Sequence, residues 1–152
     1  MNYTSLISEH KSLMTGRWLT DLANTAAFLM SEYKGLNWVG FYELDGTKLY
    51  LGPFQGKPAC TEISLGRGVC GKAAESKTVL VVDDVHQFTD HIVCDTNSRS
   101  EMVIPLIKDN KLVGVLDIDS PEIAKFDMDS QKFFKEIAVN LLAKRTEVHK
   151  AP

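Results

Sequence analysis

Three cysteines carry the first chemical signal in this chain. Cys60, Cys70 and Cys94 are its only cysteines, spaced ten and twenty-four residues apart in a middle segment dense with glycine and aspartate. No pair has the Cys-x-x-Cys spacing of a structural zinc knuckle. An odd count does not close into a static disulfide framework, because one thiol is always left over. Three thiols can instead exchange: one attacks, a second resolves, and a third carries the disulfide onward. The competing expectation is three buried cysteines acting as small apolar residues.

Three acids form a second set. With Asp109-Asn110 as a two-residue turn, the numbers of paired residues in its hairpin sum to about 219, so Glu101 falls within a residue of facing Asp117 and Asp119. Asp117 and Asp119 are two apart and share a strand face. Like charges held this close among Val103, Val115, Leu116 and Ile118 cannot all ionise, so at least one is expected to hold a proton near neutral pH. A protonated carboxyl is a general acid or a hydrogen-bond donor. If the strand ends protrude into water instead, the acids are merely solvated.

Other motifs are less specific. His86, His91 and Cys94 fall within nine residues and offer metal ligands, or an imidazolium that would lower the pKa of Cys94. Two solvated loop histidines are the simpler expectation. The run Gly66-Arg67-Gly68-Val69-Cys70-Gly71 lacks the Gly-Lys-Ser/Thr ending of a phosphate-cradling loop and reads as a tight turn into a helix. Trp38 and Tyr42 share one strand face, where aromatic rings more often serve a core than a pocket.

These residues need elements to position them. Leu6, Ile7, Leu13 and Met14 predict a first helix. Trp18, Leu22, Ala26, Leu29 and Tyr33 predict a second, which Gly35 stops. From Asn37 the apolar period becomes two, and Asp45-Gly46 reads as a hairpin turn with a return strand over Lys48 to Leu51. A short strand near Thr61 to Ser64, a short helix from Val69 to about Ser76 and a strand at Thr78 to Val82 follow. Asp83 to Arg99 is a long polar connection of the kind that carries function. Strands Glu101 to Ile107 and Lys111 to Asp119 precede a last helix capped near Asp127, with Phe133, Phe134, Ile137, Ala138, Leu141 and Leu142 on one side. Helices flank antiparallel strands at both ends, so the class is α+β. The 152 residues are expected to form one domain with a core that needs no disulfide staple.

Charge is near balance, with 17 Lys and Arg against 20 Asp and Glu for a net −3. No nucleic acid or membrane partner is expected from that. Met1-Asn2-Tyr3-Thr4 does not begin a signal peptide, and no apolar run approaches the roughly 20 residues of a membrane span. The expected compartment is the reducing cytoplasm, where a catalytic cysteine fits better than a structural disulfide.

Several runs together resemble the free methionine-R-sulfoxide reductases, which are single GAF domains. They are Asn37-Trp38-Val39-Gly40-Phe41-Tyr42, Leu51-Gly52-Pro53-Phe54-Gln55-Gly56, Gly66 to Gly71, Asp83-Asp84-Val85-His86, Cys94-Asp95, Ser100-Glu101 and Gly114-Val115-Leu116-Asp117-Ile118-Asp119-Ser120. The resemblance covers nearly the whole chain and keeps the spacing of all three cysteines. It implies a GAF-like domain over residues 1–152 that reduces free L-methionine-(R)-sulfoxide. In that reading Cys94 is the nucleophile on sulfur, Cys60 a resolving cysteine and Cys70 a further thiol. Glu101 and Asp119 engage the sulfoxide, Asp117 lies near the polar end of the substrate, and Trp38 packs against its methyl group. We add Tyr42, two residues along the same face, as a pocket wall. The resemblance implies no bound cofactor or metal, electrons from thioredoxin and ultimately NADPH, and admits a homodimer.

The rival class is a GAF-type small-molecule or redox sensor without turnover. Cyclic-nucleotide GAF domains resemble one another through an Asn-Lys…Phe-x-x-x-Asp-Glu pattern. Asn110-Lys111 and Phe126 match it here, but Ser130 and Gln131 replace the acids. A zinc-binding module is a third class.

Overall fold

The computed structural model describes residues 1–90 and 97–146. His91 and Cys94 lie outside the described residues. Helices α1 (Tyr3–Leu13) and α2 (Trp18–Glu32) lead into strands β1 (Trp38–Asp45), β2 (Lys48–Gln55) and β3 (Glu62–Ser64). Helix α3 (Gly68–Ser76), strands β4 (Leu80–Val82), β5 (Ser100–Lys108) and β6 (Lys111–Ser120), and helix α4 (Met128–Lys144) follow. The strands form one antiparallel sheet in the order β3-β2-β1-β6-β5-β4. The N- and C-terminal helices flank this sheet, as the α+β expectation requires.

Strand parity divides the molecule into two cores. On one face Val39, Phe41, Met102, Ile104, Leu116 and Ile118 pack with Leu22 and Leu29 of α2 and with Phe133, Phe134 and Ile137 of α4. Each of these large side chains is fully or nearly fully buried, a contribution of about 1.5–3 kcal/mol apiece. The helices are set by local polar contacts. The Asp127 carboxylate accepts the Ser130 backbone N–H at 2.9 Å to start α4, and Tyr33 Oη meets Ser130 Oγ at 2.7 Å to lock α2 beside it. On the opposite face α3 covers Trp38, Tyr42, Leu49, Val103 and Val115.

The hairpins differ from expectation in two details. The β1–β2 turn is centred on Gly46-Thr47, since Asp45 pairs with Lys48. Gly46 has φ +65° while Asp45 keeps an ordinary φ, so the chain needs only one left-handed residue there. The β5–β6 turn is centred on Asp109-Asn110 as expected, with φ of 52° and 63°, the pattern of a tight two-residue hairpin. Near the turn Lys108 faces Lys111, but a register shift separates Ile107↔Leu112 from Leu106↔Gly114. One extra residue on β6 therefore makes Glu101 face Asp119. A straight ladder would face it with Ile118, on the other side of the sheet.

His10 is a buried polar residue that the sequence did not single out. Its ring is fully buried on α1. The Asn140 amide donates to Nδ1 at 3.2 Å, which leaves Nε2–H to donate to Thr25 Oγ1 at 2.8 Å. Burial lowers its pKa to about 4 against the opposing pull of Asp21. The folded state thus holds the neutral ring, and unfolding restores a pKa near 6.5. His10 should contribute stability in full above about pH 6.5 and lose it as pH falls toward 4, by up to about 3 kcal/mol. Urea unfolding from pH 7 to 4.5 checks this. The His10→Gln variant should show a shallower decline than wild type, and equal slopes would remove His10 as the cause.

Candidate active site

The carboxylates and aromatics meet on the sheet face that α3 covers. Antiparallel register places Trp38, Asp119 and Glu101 in one row across β1, β6 and β5, and Gly40, Asp117 and Val103 in the next. Helix α3 brings Cys70 down onto these rows, with its Sγ 4.0 Å from Glu101 Oε2. Glu101, Asp117 and Asp119 are only 6 %, 6 % and 8 % exposed. The solvated-acid alternative therefore fails: the acids are buried, with Cys70 of α3 against Glu101.

Burial decides the protonation of this cluster. It pushes the Asp117 carboxyl far above the carboxylate range, and the neighbouring charges of Asp119 and Glu101 push it further. Asp117 is hydrogen-bonded to Glu101 and to the Cys70 thiol. Asp117 is thus biased toward its protonated form, the direction that burial beside like charges favours. Burial, then the same acids, also pushes the Cys70 thiol well up. Cys70 is a free, neutral thiol here and a poor nucleophile.

The aromatic residues form a stack beside the acids. Trp38 lies 5.3 Å from Phe54 and 6.1 Å from Tyr42, ring centre to ring centre and near parallel. Gly40 makes this possible: a Cβ there would run into Phe54 and come within 2.9 Å of Trp38 Cη2. The polar tips of two of these rings hold the β2–β3 connection. Trp38 Nε1 donates to the Lys57 carbonyl at 3.1 Å, and Tyr42 Oη donates to the Cys60 carbonyl at 2.9 Å. Cys60 is half-buried and disulfide-bonded.

The described residues on either side of 91–96 are held to the site's elements. Asp90 accepts from the Gly68 N–H at 3.2 Å and pairs with Arg67 Nε at 3.3 Å, which ties it to the start of α3. Beyond the undescribed residues, Ser98 Oγ accepts from Asn37 Nδ2 at 3.0 Å, and the Arg99 N–H donates to the Ser120 carbonyl at 2.8 Å. The second anchor borders the row of Trp38, Asp119 and Glu101, through Asn37 and Ser120. His86 is exposed on the 3₁₀ turn Val85–Gln87, which fits a solvated loop histidine.

The family model of the GAF domain matches residues 19–144. The chain is 43% identical to the free methionine-R-sulfoxide reductase of Escherichia coli K12 over 91% of its own length and 86% of that protein. The chain belongs to the free methionine-R-sulfoxide reductase family. Among solved structures, the reduced form of the reductase from Staphylococcus aureus superposes with a TM-score of 0.92 at 44% identity, covering 95% of this chain and 96% of that one. The Neisseria meningitidis reductase in complex with its substrate gives 0.89 at 42% identity, covering 93% and 87%. The expectation of a GAF-like α+β fold holds.

Within this reductase fold the sequence reading missed three contributors. Phe54 sits across from Gly40 only because the β1–β2 ladder shifts register between Gly40 and Tyr42, next to Pro53, which has no N–H to pair. Asn37 enters the sequence reading only as the start of β1 and of a family run, and Asp90 only within the long polar connection. An aspartate at a helix start is a capping signal, but Asp90 caps α3 from 22 residues away, and sequence spacing gives no sign of that.

Proposed function

We propose that this protein reduces free L-methionine-(R)-sulfoxide to L-methionine as a single GAF domain over residues 1–152. The observation that carries the reading is the buried acid set of Glu101, Asp117 and Asp119. Its Asp117 carboxyl is biased toward the protonated form, one row from Trp38, in a chain 42% to 44% identical to solved reductases. A sulfoxide oxygen leaves sulfur readily only when protonated, and this set stores the proton that is needed. The substrate methyl packs against Trp38, with Tyr42 completing the wall. Cys94 attacks sulfur as Glu101 and Asp119 hold the oxygen. The S–O bond breaks, methionine departs, and the oxygen and a proton remain on Cys94 as a sulfenic acid.

Cys60 then condenses with Cys94, releasing water and forming a disulfide. Two features favour Cys60 over Cys70 as the resolving thiol: Cys60 is already engaged in a disulfide, while Cys70 is free, buried and held neutral. Thioredoxin returns the pair to thiols with electrons from NADPH through thioredoxin reductase, with no bound cofactor, in the cytoplasm. Among the described residues, no helix is long and apolar enough to cross a membrane.

A thioredoxin-coupled NADPH assay on the separate R and S epimers of free methionine sulfoxide tests this reading. Many turnovers on the R epimer and almost none on S are expected. Oxidation of the thiols without turnover would make the protein a sensor instead.

Two variants test the assigned roles. Glu101→Gln keeps a hydrogen-bond donor but cannot transfer a proton, so turnover should fall by about 100-fold or more. Unchanged turnover at neutral pH would remove Glu101 as the acid. Trp38→Ala should raise KM more than it lowers kcat, with near-UV circular dichroism reporting an intact fold. A variant that simply unfolds would return Trp38 to a core role.

A further inference from the structure

Cys70, Glu101 and Asp117 are 5 %, 6 % and 6 % exposed, and one ligand atom from each lies within 4.8 Å of the others. A thiolate with two carboxylates suits a borderline-soft cation of the zinc class, whereas magnesium and calcium take oxygen ligands alone. A tetrahedral zinc site sets sulfur and oxygen ligands about 3.5 Å apart, from Zn–S and Zn–O lengths of about 2.3 and 2.0 Å. The observed Sγ to Oε2 distance of 4.0 Å closes to that with a small rotation of either side chain.

A second observation points to a ligand. Asp117 Oδ1 is buried and has no hydrogen-bond partner. A buried acceptor left this way is costly and needs an explanation. A cation at this position would satisfy Oδ1, and so would a positively charged group of the substrate.

We propose that Cys70, Glu101 and Asp117 form a three-ligand site for a zinc-class divalent cation, and that this cation and methionine sulfoxide exclude each other. The inference rests on the substrate reading above only in its second half. Binding displaces the thiol proton of Cys70 and the proton shared by the acids, leaving the carboxylates as ligands. A reductase in that state has no proton to give the sulfoxide oxygen. The site does not use Cys60, so it exists whether or not Cys60 is in a disulfide.

The test uses cobalt(II) as the spectroscopic probe and the Cys60→Ser/Cys94→Ser chain, in which Cys70 is the only cysteine. One equivalent of cobalt should raise a near-ultraviolet thiolate-to-metal charge-transfer band. Cys70→Ser in that background should abolish the band, and Asp117→Asn or Glu101→Gln should weaken binding by about tenfold or more. No band, or equal affinity in both acid variants, would overturn the site. Free methionine-(R)-sulfoxide should then displace the cobalt, and a band indifferent to it would overturn the exclusion. None of these readouts needs turnover, so an inactive wild-type enzyme would sink the substrate reading and leave the metal site standing. Should the double variant fail to fold, the disulfide form of the wild-type chain, with Cys60 engaged and Cys70 free, takes its place in the titration.

Discussion

Reduced protein carrying Cys94→Ser is expected to release no methionine even in a single turnover, a loss on the order of 10⁴-fold or more. That figure is the usual scale for removing an activated nucleophile. The chemistry leaves no weaker route. A serine oxygen taking the sulfoxide oxygen would form an O–O bond, whereas sulfur forms a stable S–OH. Cys70 is no substitute, because burial and three neighbouring acids keep its thiol protonated. Cys60→Ser should behave differently, giving one full equivalent of methionine and then stalling as the sulfenic acid. Quenched-flow measurement of methionine per enzyme separates the two outcomes. Release retained in Cys94→Ser would assign the nucleophile to another cysteine.

Blocked substrates are the second large effect. N-acetyl-methionine sulfoxide and methionine-sulfoxide peptides should have kcat/KM lower than the free amino acid by about 10⁴. Sites built on buried polar groups reject analogues that leave those groups unpaired by amounts of this order. Here the groups are the acids on β5 and β6, above all Asp117, whose Oδ1 lacks a donor. The ammonium of a free amino acid supplies both charge and donors. Acetylation removes the charge and adds bulk against α3, which already packs on the same face. Comparable efficiency on a blocked substrate would show an open groove and refute this account of specificity.

Much of this arrangement is legible in the sequence because local rules dominate it. The switch from helical to twofold periodicity at Asn37 marks the start of β1 within a residue. Asp127 caps α4, and Asp109-Asn110 makes its turn, because those residue types tolerate the backbone that each place needs. Counting back from the turn also brings the three acids together. It does not tell their side of the sheet, since the single extra residue on β6 reverses the answer; Gly114, beside that residue, is the one local sign of a bulge. His10 is silent for a similar reason. A lone histidine on a helix looks alike whether it meets water or the Thr25 and Asn140 side chains, and both partners lie far along the chain.

The β2–β3 connection is held to the sheet by its own main-chain carbonyls, at Lys57 and Cys60, with the donors supplied by Trp38 and Tyr42. Any residue offers a carbonyl. Lys57 to Ala59 can therefore be recoded without loss of this mounting, whereas Cys60 is fixed by its disulfide. Lys57 and Pro58 are exposed, and recoding them changes the charge and shape of this surface while the attachment stays in place. The outer face of this loop can thus be redesigned separately from the carboxylates and aromatic rings beneath it.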